Sequence, residues 1–425
     1  MEAGLRDGEL APGEQLPAVR HLAAELGVSP ATVGAAYRLL RLRGLAHGQG
    51  RRGTHLAARP AITAPAGLAP LPPGVANLRD GNPDPLLLPP LGPAVAAVDL
   101  EPVLYGAPPA HAPLLALATE QFRADGVAGG RVGIGGGALD VVERTLQAHL
   151  RAGDRVAVED PGYAAVLDLV TALGLVPVPM AVDPAGPVPA AVAAALRAGA
   201  AAVVVTPRAQ NPTGAAVTAE RAARLRAVLD RAPEVLVIED DHAGPVAAAP
   251  YVSVAGSTSR WAVVRSVSKW LGPDLRVALF CADEVTAARV EGRQRLGAGW
   301  VSGILQQVVA ARWAAPDTVD LLGRATATYA SRREALVHAL AARGIDAPTP
   351  SGLNVWIPVP AEQPVLTALW EAGYAATAGE RFRVASGPAV RITTARLDPA
   401  EARTVADVVA LALAGPAAGA MTRTA

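Results

Sequence analysis

Three short aliphatic runs, Val156-Ala157-Val158, Ala201-Ala202-Val203-Val204-Val205 and Val235-Leu236-Val237-Ile238, each follow a stretch of helical periodicity. Runs this short, without polar alternation, read as strands buried on both faces. That is the mark of a mainly parallel sheet between layers of helices, an α/β fold. In such sheets ligand groups gather beyond the carboxyl ends of the strands. Those ends carry Glu159-Asp160-Pro161-Gly162-Tyr163, the stretch from Thr206 to Gly214, and Glu239-Asp240-Asp241-His242. From about residue 77 onward the chemistry is therefore expected along one edge of a sheet.

One residue narrows that chemistry. Among 38 Lys and Arg residues a single one is lysine, Lys269, inside Ser266-Val267-Ser268-Lys269. Arginine serves a surface as well as lysine does, but it keeps its proton near neutral pH and cannot attack an aldehyde as a free amine. The retained lysine is expected to act through its amine, although an arginine-rich composition can also leave a stray one. Gly133-Ile134-Gly135-Gly136-Gly137 runs into an apolar-periodic helix (Leu139, Val142, Leu146, Leu150). Small residues at a helix start expose N–H groups to a phosphate, with Gly135 and Gly136 as the expected cradle. Arg276 offers a charge-assisted partner for the same phosphate, and Ser266 and Ser268 offer hydroxyls. A phosphate cup, an acid, an aromatic ring and a lone amine together describe a site for pyridoxal 5'-phosphate.

The first sixty residues follow another pattern. Val19, Leu22, Ala23 and Leu26 form one apolar helical stripe that Gly27 ends; Ser29 and Pro30 then suit the start of a second helix. Val33, Ala36, Tyr37 and Leu40 repeat the stripe, with Gly44 as a stop, and a Gly-rich hairpin from Gly48 to Leu56 carries Arg51 and Arg52 at its tip. Two short helices about a tight turn followed by a hairpin suit a winged helix-turn-helix, and equally a small helical cap on the next domain. In the first reading double-stranded DNA is the partner. Ser29 and Thr32 would lie near base edges and Arg20, Arg38, Arg51 and Arg52 near phosphates, with Tyr37 included in the contacting set. From Pro60 to Leu78 there is no charge and five prolines, a linker composition. The expected organisation is 1–57 DNA-binding, 58–76 linker, 77–413 ligand-binding and 414–425 tail.

Charge and cysteine content exclude other classes. The formal net charge is zero, so nothing global points to nucleic acid or membrane, although residues 1–59 hold eight Arg against five Asp and Glu. A single cysteine, Cys281, excludes an intrachain disulfide and a multi-cysteine zinc site, and the histidines show no metal-ligand spacing. With no apolar leader and no long apolar span, a cytoplasmic protein is expected.

The motifs carry two family resemblances. Leu16 to Ser29, Thr32-Val33, Tyr37, Leu40, Gly44-Leu45 and Gly53-Thr54 resemble the GntR-type winged helix. That family opens with a longer first helix than the residues before Leu10 allow, so a shortened helix or a start placed too far downstream is expected. Residues from about 77 to 413 resemble fold-type I aminotransferases. The motifs are Tyr105-Gly106, Asp160-Pro161-Gly162-Tyr163, Asn211-Pro212-Thr213-Gly214, Glu239-Asp240-Asp241, Ser266-Val267-Ser268-Lys269 with Arg276, and Val390-Arg391-Ile392. By that likeness Lys269 joins the cofactor aldehyde and Asp240 pairs with the pyridine nitrogen. Tyr163 stacks on the ring, Asn211 donates to the 3-oxygen, and Arg391 binds a ligand carboxylate. Tyr105 would reach the phosphate of a neighbouring subunit, which implies a homodimer. His242 stands where that family often has a tyrosine. Together the parts resemble the MocR family of transcriptional regulators, in which the aminotransferase-like domain senses an amino compound or the cofactor itself. The expected mechanism is that an effector amine displaces Lys269 from the cofactor while Arg391 holds its carboxylate. A working aminotransferase with a vestigial N-terminal domain is the alternative.

Overall fold

The computed structural model describes residues 14–42, 46–48, 54–56 and 70–414. Near the N-terminus, helix α1 (Val19–Glu25) turns through Gly27, at φ 63°, into helix α2 (Pro30–Leu42). Positive φ costs glycine nothing, which suits this turn. Ser29 Oγ accepts from the Thr32 N–H at 3.1 Å and so caps α2, with Pro30 as its first residue. Strands β1 (Ala46–Gly48) and β2 (Thr54–Leu56) pair antiparallel, and Gln15 bridges to His55. Leu16, Ala23, Val33, Tyr37, Leu40, Ala46 and Leu56 form the core of this unit.

Two expectations change here. Leu26 is exposed, because α1 ends at Glu25 and the turn carries it off the apolar stripe. Tyr37, expected among the DNA contacts, is a core residue: its ring is 2% exposed and its hydroxyl donates to the Pro17 carbonyl at 2.8 Å. It shares the helix face of Val33 and Leu40, which turns it inward.

The larger unit begins with β3 (Ala76–Asn77), so Ala76 already belongs to it and not to a linker. Next come α3 (Gly92–Ala96), α4 (Ala112–Ala124), β4 (Arg131–Gly135), α5 (Ala138–His149), β5 (Arg155–Asp160) and α6 (Ala164–Ala172). Then follow β6 (Val176–Asp183), β7 (Gly186–Pro187), α7 (Pro189–Arg197), β8 (Ala200–Val205), α8 (Ala219–Leu229), β9 (Leu236–Asp241), β10 (Arg260–Ser266) and β11 (Ala278–Ala282). The eight-stranded sheet has the order β4-β11-β10-β9-β8-β5-β6-β7. Pairing is parallel from β10 through β9, β8 and β5 to β6, and antiparallel where β11 and β7 join.

Successive strand residues face opposite sides of the sheet. Ala157, Val203, Val205, Val237 and Val263 share one apolar cluster with α4, α7 and α8; Val156, Val158, Ala202, Val204, Ile238 and Val264 share another with α5 and α6. The acids expected beyond β9 lie within it, and the same alternation sorts them. Glu239 and Asp241 go with Val237, Asp240 with Ile238.

Helices α9 (Glu284–Leu296), α10 (Gly303–Ala314) and α11 (Pro316–Ala341) lead to a smaller layer. It consists of β12 (Asn354–Pro358), α12 (Glu362–Glu371), β13 (Tyr374–Ala375), β14 (Thr377–Ala378), β15 (Ala389–Thr393) and α13 (Ala402–Ala414). Strand β13 pairs with β3, which ties the start of the unit to its end.

Asp241 is buried between two guanidinium groups. Arg208 donates to both its oxygens at 2.8 Å, and Arg265 lies 3.1 Å from one of them while also pairing with Asp125 at 2.7 Å. Asp241→Ala leaves both arginines short of a counter-charge in the interior. It is expected to destabilise the fold by about 3–5 kcal/mol, read from urea unfolding midpoints. The two arginines hold the Asp241 carboxyl below its usual pKa against the opposing effect of burial. Its stabilising contribution is therefore complete above the unfolded carboxylate's pKa and is lost as pH falls through the lower folded value.

Candidate cofactor site

At the carboxyl ends of β5, β8, β9 and β10 a pocket brings together Tyr163, Asn211, Asp240, His242, Lys269 and Arg276, with Ser266 and Ser268 on its wall and Arg391 from β15 closing it. Asp240 is 3% exposed, and its Oδ1 has no hydrogen-bond partner. Burial, and then the neighbouring Asp241, raise its pKa to about 7. A buried carboxylate oxygen left unpaired in a pocket calls for a donor from a ligand.

Lys269 Nζ donates to the Gly81 carbonyl at 2.6 Å. Burial, and then the positive charge of Arg391, lower its pKa to about 8, while Asp80 opposes the shift. A lysine at that value has an appreciable share of free amine at neutral pH. His242 is pushed down to about 4 by burial and then by Lys269, so its imidazole is neutral. Burial raises the Tyr163 phenol, with Asp240 adding to it, and the hydroxyl stays protonated. Ser266 Oγ donates to Ser268 Oγ at 2.9 Å and accepts from the Ser268 N–H.

The phosphate corner differs from the expectation. Gly135 lies in β4 against Val141, and the Gly136 N–H is taken by Asp140 Oδ2 at 3.0 Å. Neither lines the pocket; Ala138 and Leu139 do. They are the first residues of α5, whose opening N–H groups have no intrahelical acceptor. The glycine that the corner requires is Gly137, at φ 117°, where a Cβ would stand 2.6 Å from an Arg276 Nη2. Arg276 makes no hydrogen bond or ion pair among the described residues. The donor set is a free guanidinium facing a helix N-terminus, and it fits a phosphate dianion.

Arg391 is buried. Its Nη1 donates to Asn211 Oδ1 at 3.1 Å and its Nη2 to the Arg79 carbonyl at 2.5 Å, with the Phe382 ring 4.7 Å away. Burial lowers its pKa to about 10, which leaves it charged at neutral pH. With Oδ1 so engaged, the Asn211 amide nitrogen is left to donate. Tyr105 stands apart from this pocket. It is 92% exposed and meets Trp300 edge-on at 5.6 Å.

Sequence reasoning missed Asp80 and Gly81, which line the pocket from the start of the large unit. Only their long-range contacts reveal them. The unpaired Asp240 oxygen, the partly deprotonated lysine and the Arg276 corner each match one functional group of pyridoxal 5'-phosphate: the pyridine N–H, the aldehyde and the phosphate. Among the described residues no cluster of three or more His, Cys, Asp or Glu could hold a metal.

On the N-terminal unit, Arg20, Ser29 and Thr32 are exposed, and the Ser29 and Thr32 hydroxyls lie 2.9 Å apart at the start of α2. The side chain of Arg38 and all of Arg51 and Arg52 lie outside the described residues.

The chain matches the family described as bacterial regulatory proteins, gntR family, over residues 1–56, and that described as aminotransferase class I and II over residues 114–409. The vitamin B6 salvage pathway transcriptional repressor PtsJ of Salmonella typhimurium is 40% identical over 402 residues, covering 94% of this chain and 93% of its own length. The HTH-type pyridoxine biosynthesis transcriptional regulator PdxR of Corynebacterium glutamicum is 32% identical over 252 residues, 55% of this chain and 53% of its own. Among solved structures, LysN, the α-aminoadipate aminotransferase of Thermus thermophilus complexed with N-(5'-phosphopyridoxyl)-L-leucine, shares the fold. Its TM-score is 0.71 at 21% identity, over 81% of this chain and 93% of that one. The fold and site thus define an aminotransferase class I and II domain joined to a gntR-family winged helix. The chain belongs to the MocR-type transcriptional regulators.

The lysine environment makes a kinetic prediction. Attachment of pyridoxal 5'-phosphate needs the neutral amine, so its observed rate should rise with pH and level off above about 8. Asp80→Asn removes the charge that favours the ammonium form and should move that midpoint to lower pH. Stopped-flow visible absorbance reads both, and an unmoved midpoint would remove Asp80 from the lysine's electrostatics.

Proposed function

We propose that this protein is a pyridoxal 5'-phosphate-dependent DNA-binding regulator that acts as a homodimer in the cytoplasm and senses the cofactor itself. The observation that carries this reading is the full-length likeness to a repressor named for vitamin B6 salvage, combined with a pocket whose unpaired groups match the cofactor. When bound, pyridoxal 5'-phosphate supplies an aldehyde to which a primary amine can add, and a ring nitrogen that takes a proton.

The chain's own residues then have distinct tasks. Asp240 would hold the ring-nitrogen proton, and its unpaired oxygen would gain a partner inside the protein. Lys269 would give up its bond to the Gly81 carbonyl to offer its amine. Tyr163 would cover one face of the ring, and the Asn211 amide nitrogen would donate to the 3-oxygen. Arg276 and the opening N–H groups of α5 neutralise the phosphate. Tyr105, exposed here, is assigned to the corresponding phosphate of a second subunit. On the DNA side, Ser29 and Thr32 stand at the amino end of the recognition helix, and Arg20, Arg38, Arg51 and Arg52 serve phosphates.

A second reading has a primary amine with a carboxylate as the effector. Arg391 favours it, because its Nε is buried without a partner beside the pocket. Against it, both terminal nitrogens of Arg391 already donate to protein oxygens. Arg391→Ala separates the two: a response to pyridoxal 5'-phosphate alone should survive the substitution, whereas an amino-acid response should disappear.

The first experiment is selection of sheared genomic DNA on the purified protein with and without pyridoxal 5'-phosphate. A discrete site whose retention changes with cofactor is expected. Lys269→Ala should still bind that site but lose the change and the visible absorbance of lysine-bound cofactor. Arg20→Ala should weaken binding and reduce the logarithmic salt slope by about one. Uniform retention across the genome together with sustained turnover of an amino donor would move the assignment to an aminotransferase.

A further inference from the structure

Two residues behind the pocket have no part in the functions assigned above. Glu159, the penultimate residue of β5, and Gln210, just before Asn211, are 4% and 0% exposed. Glu159 Oε1 accepts from the Thr206 N–H at 3.0 Å, and Oε2 accepts from Gln210 Nε2 at 3.0 Å. Gln210 Nε2 also donates to the Pro161 carbonyl at 2.8 Å. On its other side, Gln210 Oε1 accepts from the Thr213 N–H at 2.9 Å and from the Thr213 hydroxyl at 2.7 Å. One amide group therefore joins the turn Pro161-Gly162-Tyr163 to the turn Asn211-Pro212-Thr213-Gly214.

Those two turns carry Tyr163 and Asn211, the residues assigned above to the cofactor ring and its 3-oxygen. Each is held tightly from the outside. A Cβ at Gly162 would stand 2.2 Å from the Glu159 carbonyl oxygen, and Gly214, at φ +70°, has the Ser351 carbonyl 2.5 Å from the same position. The glutamine amide has a single workable orientation, because its nitrogen faces two acceptors and its oxygen faces two donors. Glu159 matches that orientation: its two oxygens accept from the Thr206 N–H and from Gln210 Nε2 at once, while Gln210 Oε1 points at Thr213.

We propose that Glu159 and Gln210 are a positioning pair that sets the Tyr163 ring and the Asn211 amide in register with each other for pyridoxal 5'-phosphate. This assignment rests on the cofactor reading above. Glu159→Gln tests it with almost no change in volume. The new amide has one acceptor for two donors: with its oxygen toward Thr206 its nitrogen meets that of Gln210, and with its oxygen toward Gln210 its nitrogen meets the Thr206 N–H. Either two donors meet or Gln210 flips and opposes the donors of Thr213.

Full-length Glu159→Gln protein is expected to bind pyridoxal 5'-phosphate about tenfold more weakly, the loss of roughly one buried hydrogen bond. The pH midpoint of the visible absorbance of lysine-bound cofactor should rise, since a misplaced Asn211 stabilises the 3-oxyanion less. DNA retention without cofactor should be unchanged. If Glu159→Gln lowers the melting temperature of cofactor-free protein markedly, Thr213→Val is the gentler variant. It removes one donor to Gln210 and should shift the same midpoint by less.

A wild-type affinity and an unmoved midpoint in Glu159→Gln would overturn the pair. Wild-type protein that shows no lysine-dependent visible band would overturn the cofactor reading, and the pair with it.

Discussion

Burying the acidic end of β9 imposes the condition that the surrounding structure meets. Three consecutive carboxylates, Glu239, Asp240 and Asp241, lie within the sheet, and an unpaired buried charge is costly. Strand alternation sends the outer two to one face. There Glu239 accepts from the Ser253 hydroxyl, the Tyr251 hydroxyl and the N–H groups of Val254 and Ala255, while Asp241 is gripped by Arg208 and Arg265. The middle one faces the other way and is left without a donor on one oxygen. That asymmetry turns a strand end into a binding site.

The rest of the pocket complements that centre with positive groups drawn from separate parts of the chain. Lys269 comes from the turn after β10, Arg276 from the approach to β11, and Arg391 from β15 of the smaller layer. Their mutual repulsion matters. Arg391 helps depress Lys269, and Lys269 helps depress His242, so crowding cations near a desolvated amine maintains its nucleophilic form. Asp80 limits the effect from the opposite side. The segment bearing Asp80 and Gly81 directly continues β3, which pairs with β13. The start of the large unit is therefore locked at once to the smaller layer and to Lys269.

Much of this is legible in residue order, for identifiable reasons. Lys269 stands out because arginine replaces lysine everywhere else, and the buried strands because they lack alternation. The helix-turn-helix shows through its periodicity, Gly27 and the Ser29-Pro30 start. Local signals fail where direction or exact contact matters. Tyr37 lies on the apolar stripe, and yet the sequence also suggests it as an outward contact. The glycine run announces an open helix start but not which glycine shapes it; at Gly137 Arg276 approaches within the space of a Cβ.

Sequence by itself determined the two-part architecture, the sheet class, the lone lysine and the kind of ligand it suits, since those depend on periodicity and on side-chain chemistry. Tertiary structure alone decided the partners. Lys269 and Gly81 are 188 residues apart, Arg391 and Asn211 are 180 apart, and the Glu159–Gln210 contact spans 51. Such contacts leave no local pattern, because each residue's neighbours along the chain are chosen to form a strand or turn and not to announce what will meet it across the fold. Crossover connections in a parallel sheet bring distant strand ends to one edge, and at that edge the charges, depressed pKa values and unpaired oxygen of this site arise.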